Sequence, residues 1–167
     1  MNKNTALIGS AIFFIFGPVA IMVLIPWLPT KWKSGNVPDW WWIVRISGGI
    51  LVLAGAAGMV NSFFHFAVDG LGTPAPVAPP THLVVSGLYR YVRNPMYISG
   101  IAVILGQALL LGRWELIAFA AIVWIFPAAY VKWREEPVLT KKFGAEYDEY
   151  RAAVPAWIPR LRPWKPE

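Results

Sequence analysis

Apolar residues crowd into four blocks, near residues 5–28, 43–66, 96–112 and 115–133, and most polar residues fall in the intervals between them. Each block is long enough, or nearly so, to cross roughly 30 Å of hydrocarbon as a helix. The pattern therefore predicts an all-α polytopic membrane protein with about four transmembrane helices. The first two are separated by "PTKWKSGNVPDWWW", whose Pro and Gly interrupt helix and whose Trp40, Trp41 and Trp42 stand where an interfacial aromatic belt belongs. Only "GRWE" divides the last two, which makes them a tight helical hairpin. Pro95 to Leu111 would be about 26 Å long as an ideal helix, slightly short of the bilayer.

Two polar elements remain. Residues 67–97, "AVDGLGTPAPVAPPTHLVVSGLYRYVRNPMY", are too rich in Pro and Gly for regular structure until their end. The second element is the tail from Glu135, in which Leu139, Phe143, Tyr147, Tyr150 and Val154 recur at spacings of three and four. That spacing predicts an amphipathic C-terminal helix halted by Pro155, its apolar face on the membrane surface or over the spans. Pro137 is expected to end or bend the fourth span. The chain reads as one integral membrane domain over 1–167: two spans in 1–66, a loop in 67–94, the hairpin in 95–134 and the tail in 135–167.

Composition fits a lipid solvent: 57% of the 167 residues are hydrophobic, only 14% are charged, and 10 are Trp. The first block begins almost at Met1, has no small-residue cleavage site after it and exceeds a signal-peptide core, so it is expected to stay as an anchor. The absence of Cys excludes disulfides and thiolate chemistry, and two His argue against a histidine-rich metal site. With four spans both termini share a side. That side carries Lys3, Arg90, Arg93 and the basic residues from Lys132 onward, against Lys31, Lys33, Arg45 and Arg113 opposite. The positive-inside rule places both termini in the cytoplasm. The net charge of +6 suits an anionic inner leaflet, and no nucleic-acid module is visible.

The cytoplasmic passage "GLYRYVRNPMY", residues 87–97, carries candidate chemistry. Asn94 then Pro95 is the order of an N-cap and first helical position, so the third span starts here. Its dipole and free N–H groups, beside Arg90 and Arg93, make a place for a carboxylate or phosphate. Snorkelling of both arginines to headgroups is the simpler alternative. At the far end of the hairpin, Glu135 and Glu136 need solvation or a cation. The cation is a ligand or else Lys132, Arg134 or Arg93. If the hairpin brings Asn94 and Glu135 to one membrane face, the pair would fit a zwitterionic amino-acid headgroup.

The order "GLYRYVRNPMY", an apolar hairpin, then "EEPVLTKKFGAEYDEYRAAVPAWIP" closely resembles the isoprenylcysteine carboxyl methyltransferase and phospholipid N-methyltransferase group of integral membrane enzymes. The resemblance covers roughly residues 63–164, with "GLGTP" and "PP" upstream, and the first two spans match only as apolar helices. It implies S-adenosylmethionine as cofactor, held by Arg93, Asn94, Pro95, Tyr97, Gly100, Glu135 and Glu136. It implies catalytic roles for Arg93, Arg160 and Glu136, and substrate contacts for Arg90, Tyr147 and Tyr150, although the two tyrosines also fit plain packing. Many relatives have His where this chain has Asn94, which removes any role for an imidazole there. The acceptor implied is a lipophilic small molecule or lipidated substrate reached from the bilayer, with Arg90, Arg93, Arg160 and Arg162 candidates to orient a carboxylate. The setting implied is a bacterial or archaeal cytoplasmic membrane.

Carboxyl O-methylation is the leading reading, because a carboxylate is already nucleophilic at neutral pH whereas an amine must first lose a proton. Amine N-methylation of a phospholipid, an NADPH-dependent reductase of the sterol-reductase type and a non-catalytic membrane scaffold are the rivals. Gly70 and Gly72 read as a tight connector, Asp69 as a cap or pairing residue, and His65 and His82 as too isolated to nominate.

Overall fold

The computed structural model describes residues 3–70 and 81–165, so Gly72 and the "GLGTP" stretch beyond Gly70 lie outside the described residues. Among those described, the fold is all-helical. Helix α1 runs over residues 3–30, with a π-helical middle, Ile15–Leu24, that accommodates Pro18. Helix α2 is Trp42–Asp69, α3 is Pro95–Leu111, α4 is Trp114–Phe143 and α5 is Ala145–Ala153. Three helices are long and apolar enough to cross a membrane, Ala11–Thr30, Asp39–Asp69 and Trp114–Phe143, while α3 is a shorter apolar helix of 17 residues. Of the four expected spans, three are thus long enough to cross a membrane and the third in order is a shorter apolar helix.

What holds the short helix is close backbone approach. A Cβ on Gly48 would stand 2.7 Å from the Gly106 carbonyl oxygen, and one on Gly106 would stand 2.7 Å from that of Gly48. Small residues at such a crossing let α2 and α3 pack backbone to backbone, the main route to helix association where lipid removes the hydrophobic drive. The C-terminal end of α3 is closed by protein rather than solvent: Gly35 N–H donates to Leu111 O at 2.7 Å and Trp41 Nε1–H to Leu109 O at 2.8 Å. The loop between α1 and α2 thereby satisfies carbonyls that a helix end leaves orphaned. Arg45 is also placed at that end, donating to Ser34 Oγ at 3.1 Å. Helix α1 packs on this pair through Met22, Met59, Phe63 and Val103, and Gln107 Nε2–H reaches the Met22 carbonyl at 2.7 Å.

The hairpin forms as expected. Gly112 takes φ +63°, the left-handed conformation that ends α3, and Ile104, Ala108, Leu116 and Ala120 make the seam with α4. Two expectations are narrowed beyond it. Of an end or a bend at Pro137, the end is excluded: a π-helical turn, Val131–Glu135, widens the helix just before it, so Pro137 falls in the first turn of the α-helical stretch Glu136–Phe143 and α4 continues. Nor is the tail one amphipathic helix. Gly144, at φ +55°, breaks it, leaving Leu139 and Phe143 on α4 while Tyr147 and Tyr150 lie on α5 and Val154 follows it. The apolar residues still converge, because Leu139 and Phe143 pack against the buried cluster of Tyr147, Tyr150 and Val154.

The exposed Trp114 and Trp133 stand roughly 28 Å apart along α4, which matches the thickness of a hydrocarbon core. The last part of α4 projects past the level of Trp133, and α5 follows it.

Candidate functional site

The Pro-rich tail "VPAWIPRLRPW" cannot form a helix, so its polar backbone groups need partners elsewhere, and they find them on residues 89–94. Arg93 N–H donates to Pro155 O, Arg160 N–H to Tyr91 O and Trp164 N–H to Arg90 O, each at 2.9 Å. Side chains reinforce the seam. Arg90 Nε–H donates to Trp164 O at 2.7 Å, Arg93 Nε–H to Val154 O at 2.9 Å, Asn94 Nδ2–H to Ala156 O at 3.1 Å and Arg160 Nη1–H to Ala153 O at 2.9 Å. Asn94 occupies the N-cap position ahead of Pro95, but its side chain makes no capping bond and is spent on the tail instead.

Arg93 also forms an ion pair with Glu136 at 2.5 Å, both side chains 11% exposed, and its Nη1–H reaches Tyr147 Oη at 3.1 Å. The second Glu136 oxygen faces Arg151 Nη2 at 3.4 Å. Of the cations weighed for Glu136, the structure selects Arg93. Tyr150 Oη–H donates to Tyr89 O at 2.7 Å. Burial raises the phenols of Tyr89, Tyr147 and Tyr150 above the ordinary tyrosine range, with the Arg93 charge opposing that rise at Tyr147 and Tyr150, so all three stay neutral and structural.

Glu135 is turned the other way. It is half-buried, acts electrostatically on the phenols of Tyr89 and Tyr97, and none of the described residues hydrogen-bonds its carboxylate. Tyr97 in turn lies 6.3 Å, ring to ring, from Trp157, which meets Trp124 edge-on at 6.4 Å.

Between the projecting part of α4 and the tail opens a cavity of about 780 Å³, within the roughly 300–1,000 Å³ usual for small-molecule sites. Glu136 lines it with Trp133 and Trp157, and three cations, Lys132, Lys141 and Arg151, share its wall. A second, apolar cavity of about 270 Å³ lies under Tyr91, Pro95, Ile98 and Pro159. Of the residues nominated from sequence, Glu136 faces the larger cavity and Pro95 the smaller. Asn94 holds Ala156, which lines the larger cavity, and Arg93 holds the lining Glu136 together with the neighbouring Val154 carbonyl, so the two build that cavity's back wall. Arg90, Tyr147, Tyr150 and Arg160 point their polar atoms into the chain. Gly100 faces away, toward Met59 and Met22.

Sequence reading missed Lys132, Lys141, Arg151 and Trp157. The signal was a helical face, 128–132–136–140 beside 133–137–141, hidden by the expectation that Pro137 ends the helix. It also missed that His65 bonds Asp69 at 2.8 Å and Ser86 at 3.1 Å, a clasp between α2 and the Gly87–Arg90 turn.

The chain is 37% identical over 80 residues to the protein-S-isoprenylcysteine O-methyltransferase of Schizosaccharomyces pombe, covering 47% of this chain and 34% of that one. It is 37% identical over 78 residues to protein-S-isoprenylcysteine O-methyltransferase B of Arabidopsis thaliana, covering 46% and 39%. The nickel-cobalt-cadmium resistance protein NccN of Alcaligenes xylosoxydans xylosoxydans is 30% identical over 87 residues, covering 52% and 40%. The matched stretch thus spans between a third and two fifths of these relatives' length, and no solved structure matches. The phospholipid methyltransferase family profile matches residues 43–146, which take in α2, the Arg93–Tyr97 segment, the hairpin and the paired glutamates, and the chain belongs to that family.

Proposed function

We propose that this protein is an S-adenosylmethionine-dependent methyltransferase acting at the cytoplasmic face of the membrane, both termini on that face, and that it O-methylates the carboxylate of an isoprenylcysteine-like lipid. The observation that carries the reading is the cavity at the bilayer boundary. It is bounded by Glu136 and by the tail that Arg93 and Asn94 hold, the two motifs on which the family resemblance rests.

The donor set fits the cofactor. A cavity of about 780 Å³ offers the rings of Trp133 and Trp157 for a nucleobase, and Glu136, although paired with Arg93 and Arg151, keeps acceptor lone pairs for a hydroxyl group. Glu135 and Tyr97 lie behind Trp157 as a second cation-attracting wall. S-adenosylmethionine, when bound, supplies a methyl group already activated on a sulfonium. A carboxylate acceptor would need no general base to receive that methyl group, because it is already deprotonated at neutral pH. The protein is left to align the reactants and exclude water. Arg93 and Asn94 act in this reading as positioning residues, since they touch the wall rather than the cavity.

Calorimetric titration of S-adenosylmethionine and NADPH into detergent-purified protein, followed by transfer of labelled methyl to N-acetyl-S-farnesylcysteine, tests the reading. Binding of S-adenosylmethionine with base-labile methyl on the probe is the expected result. Binding of NADPH alone, or labelling of amine lipids alone, would overturn it.

A further inference from the structure

The larger cavity straddles the bilayer boundary. Taking Trp133 as the interface, Ala128 lies about 8 Å nearer the bilayer centre and Lys141 about 12 Å beyond it. The floor of Ala128, Val131 and Trp157 is apolar, with Ala128 and Val131 on the bilayer side of the Trp133 level, while Lys132 lies next to it and Lys141 beyond it, and Arg151 completes the cationic wall. Glu136 is the one carboxylate in the lining, and it is already engaged by Arg93 and Arg151. The rim is therefore left cationic. An amine-headed lipid would meet like charge at this wall, whereas an anionic head with an apolar chain finds complement at both depths.

We propose that Lys132 and Lys141, with Arg151, form the headgroup-recognition element of the acceptor site and select anionic amphiphiles that arrive from the bilayer. This rests on the methyltransferase reading for the identity of the reaction, but not for the binding preference itself. Lys132 and Lys141 make no ion pair among the described residues, so both ammonium groups are free to turn to a ligand. Arg151 is half-exposed, and its contact with Glu136 leaves the rest of its guanidinium open to a second anion. Because the rim is open to solvent, its attraction weakens with salt.

The test uses the full chain in nanodiscs of neutral lipid and two probes, N-acetyl-S-farnesylcysteine and its uncharged carboxamide. Binding is read from quenching of the cavity tryptophans and methyl transfer from labelled S-adenosylmethionine. In the native protein the acid is expected to bind at least about tenfold more tightly than the amide, a preference that shrinks as salt rises. Lys132→Gln/Lys141→Gln should raise KM for the acid about tenfold, leave its saturated kcat within a few-fold, leave the amide's affinity unchanged, and leave S-adenosylmethionine affinity by calorimetry unchanged.

Equal affinity for acid and amide in the native protein would overturn the proposal even if methyl transfer occurs. So would a variant that weakens S-adenosylmethionine and spares the acid, since the rim would then hold the cofactor's own carboxylate. A native protein that prefers the acid yet transfers no methyl would keep the rim and sink the methyltransferase reading. Should the double variant misfold, the acid-to-amide ratio and its salt dependence in the native protein still decide the matter.

Discussion

Replacing Arg93 by Met should destabilise the protein more than any other single charge removal, and the reason is its three partners. The guanidinium is 11% exposed and serves Glu136, the Val154 carbonyl and Tyr147. Losing a charge-assisted bond costs about 1.5–3 kcal/mol, and stranding a buried acceptor such as Val154 O costs about 1–3 kcal/mol more. Arg151, at 3.4 Å from the other Glu136 oxygen, keeps part of the carboxylate's compensation, so the lower ends apply, about 2.5 kcal/mol in all. For a chain of this size that is a fall in melting temperature of roughly 5–10 °C. Glu136→Met removes the carboxylate and leaves Arg93 its two other acceptors, so it should cost about 1.5–3 kcal/mol. In the double variant no charge is stranded, and its loss should fall short of the sum of the single losses by about 1.5–3 kcal/mol. The measurement is thermal unfolding of the four proteins in one detergent, followed by tryptophan emission. Additivity within about 0.5 kcal/mol would mean that Arg93 and Glu136 do not stabilise one another, and the account of the cavity's back wall would fail.

Gly106→Ala would place a Cβ 2.7 Å from the Gly48 carbonyl oxygen and should cost about 1–3 kcal/mol by forcing α2 from α3, read from the same melts. Tyr150→Phe removes only the bond to Tyr89 O and should cost about 1 kcal/mol while leaving cofactor affinity intact by calorimetry. Gln107→Leu strands the Met22 carbonyl but also deletes a buried side-chain oxygen that has no partner, so its net cost should stay below about 2 kcal/mol, measurable as a small shift in melting temperature. The raised phenols of Tyr89, Tyr147 and Tyr150 contribute stability that is fully present below the ordinary tyrosine pKa of about 10 and lost as pH rises through their folded values. Melting temperature should therefore fall on the alkaline side of pH 10, less steeply in Tyr150→Phe; an unchanged slope would contradict the burial of that hydroxyl.

How much of this was legible in the chain can be followed residue by residue. The apolar blocks, the hairpin at Gly112 and the start of α3 at Pro95 were all readable, because each is set by local chemistry: a run of apolar side chains, a left-handed glycine, a fixed proline φ. The convergence of Tyr147, Tyr150 and Val154 with Leu139 and Phe143 was readable as well, although their helix is broken at Gly144. Proline misled at Pro137, since a π-helical turn can take up the missing donor and the sequence does not announce one.

Which partner each polar side chain takes was decided only by the tertiary structure. Arg93 and Asn94 are positioned by sequence at the mouth of a helix, and either a ligand or the chain itself could satisfy them there. In the fold the tail supplies the carbonyls of Val154 and Ala156, 61 and 62 residues away along the chain, and takes them both. Local sequence therefore determined where the apolar helices lie, where α3 starts and where the hairpin turns. The cavity, its cationic rim and the pairing of Arg93 with Glu136 needed the tail to fold back, since hydrogen bonds and charges are satisfied by proximity in space rather than along the chain.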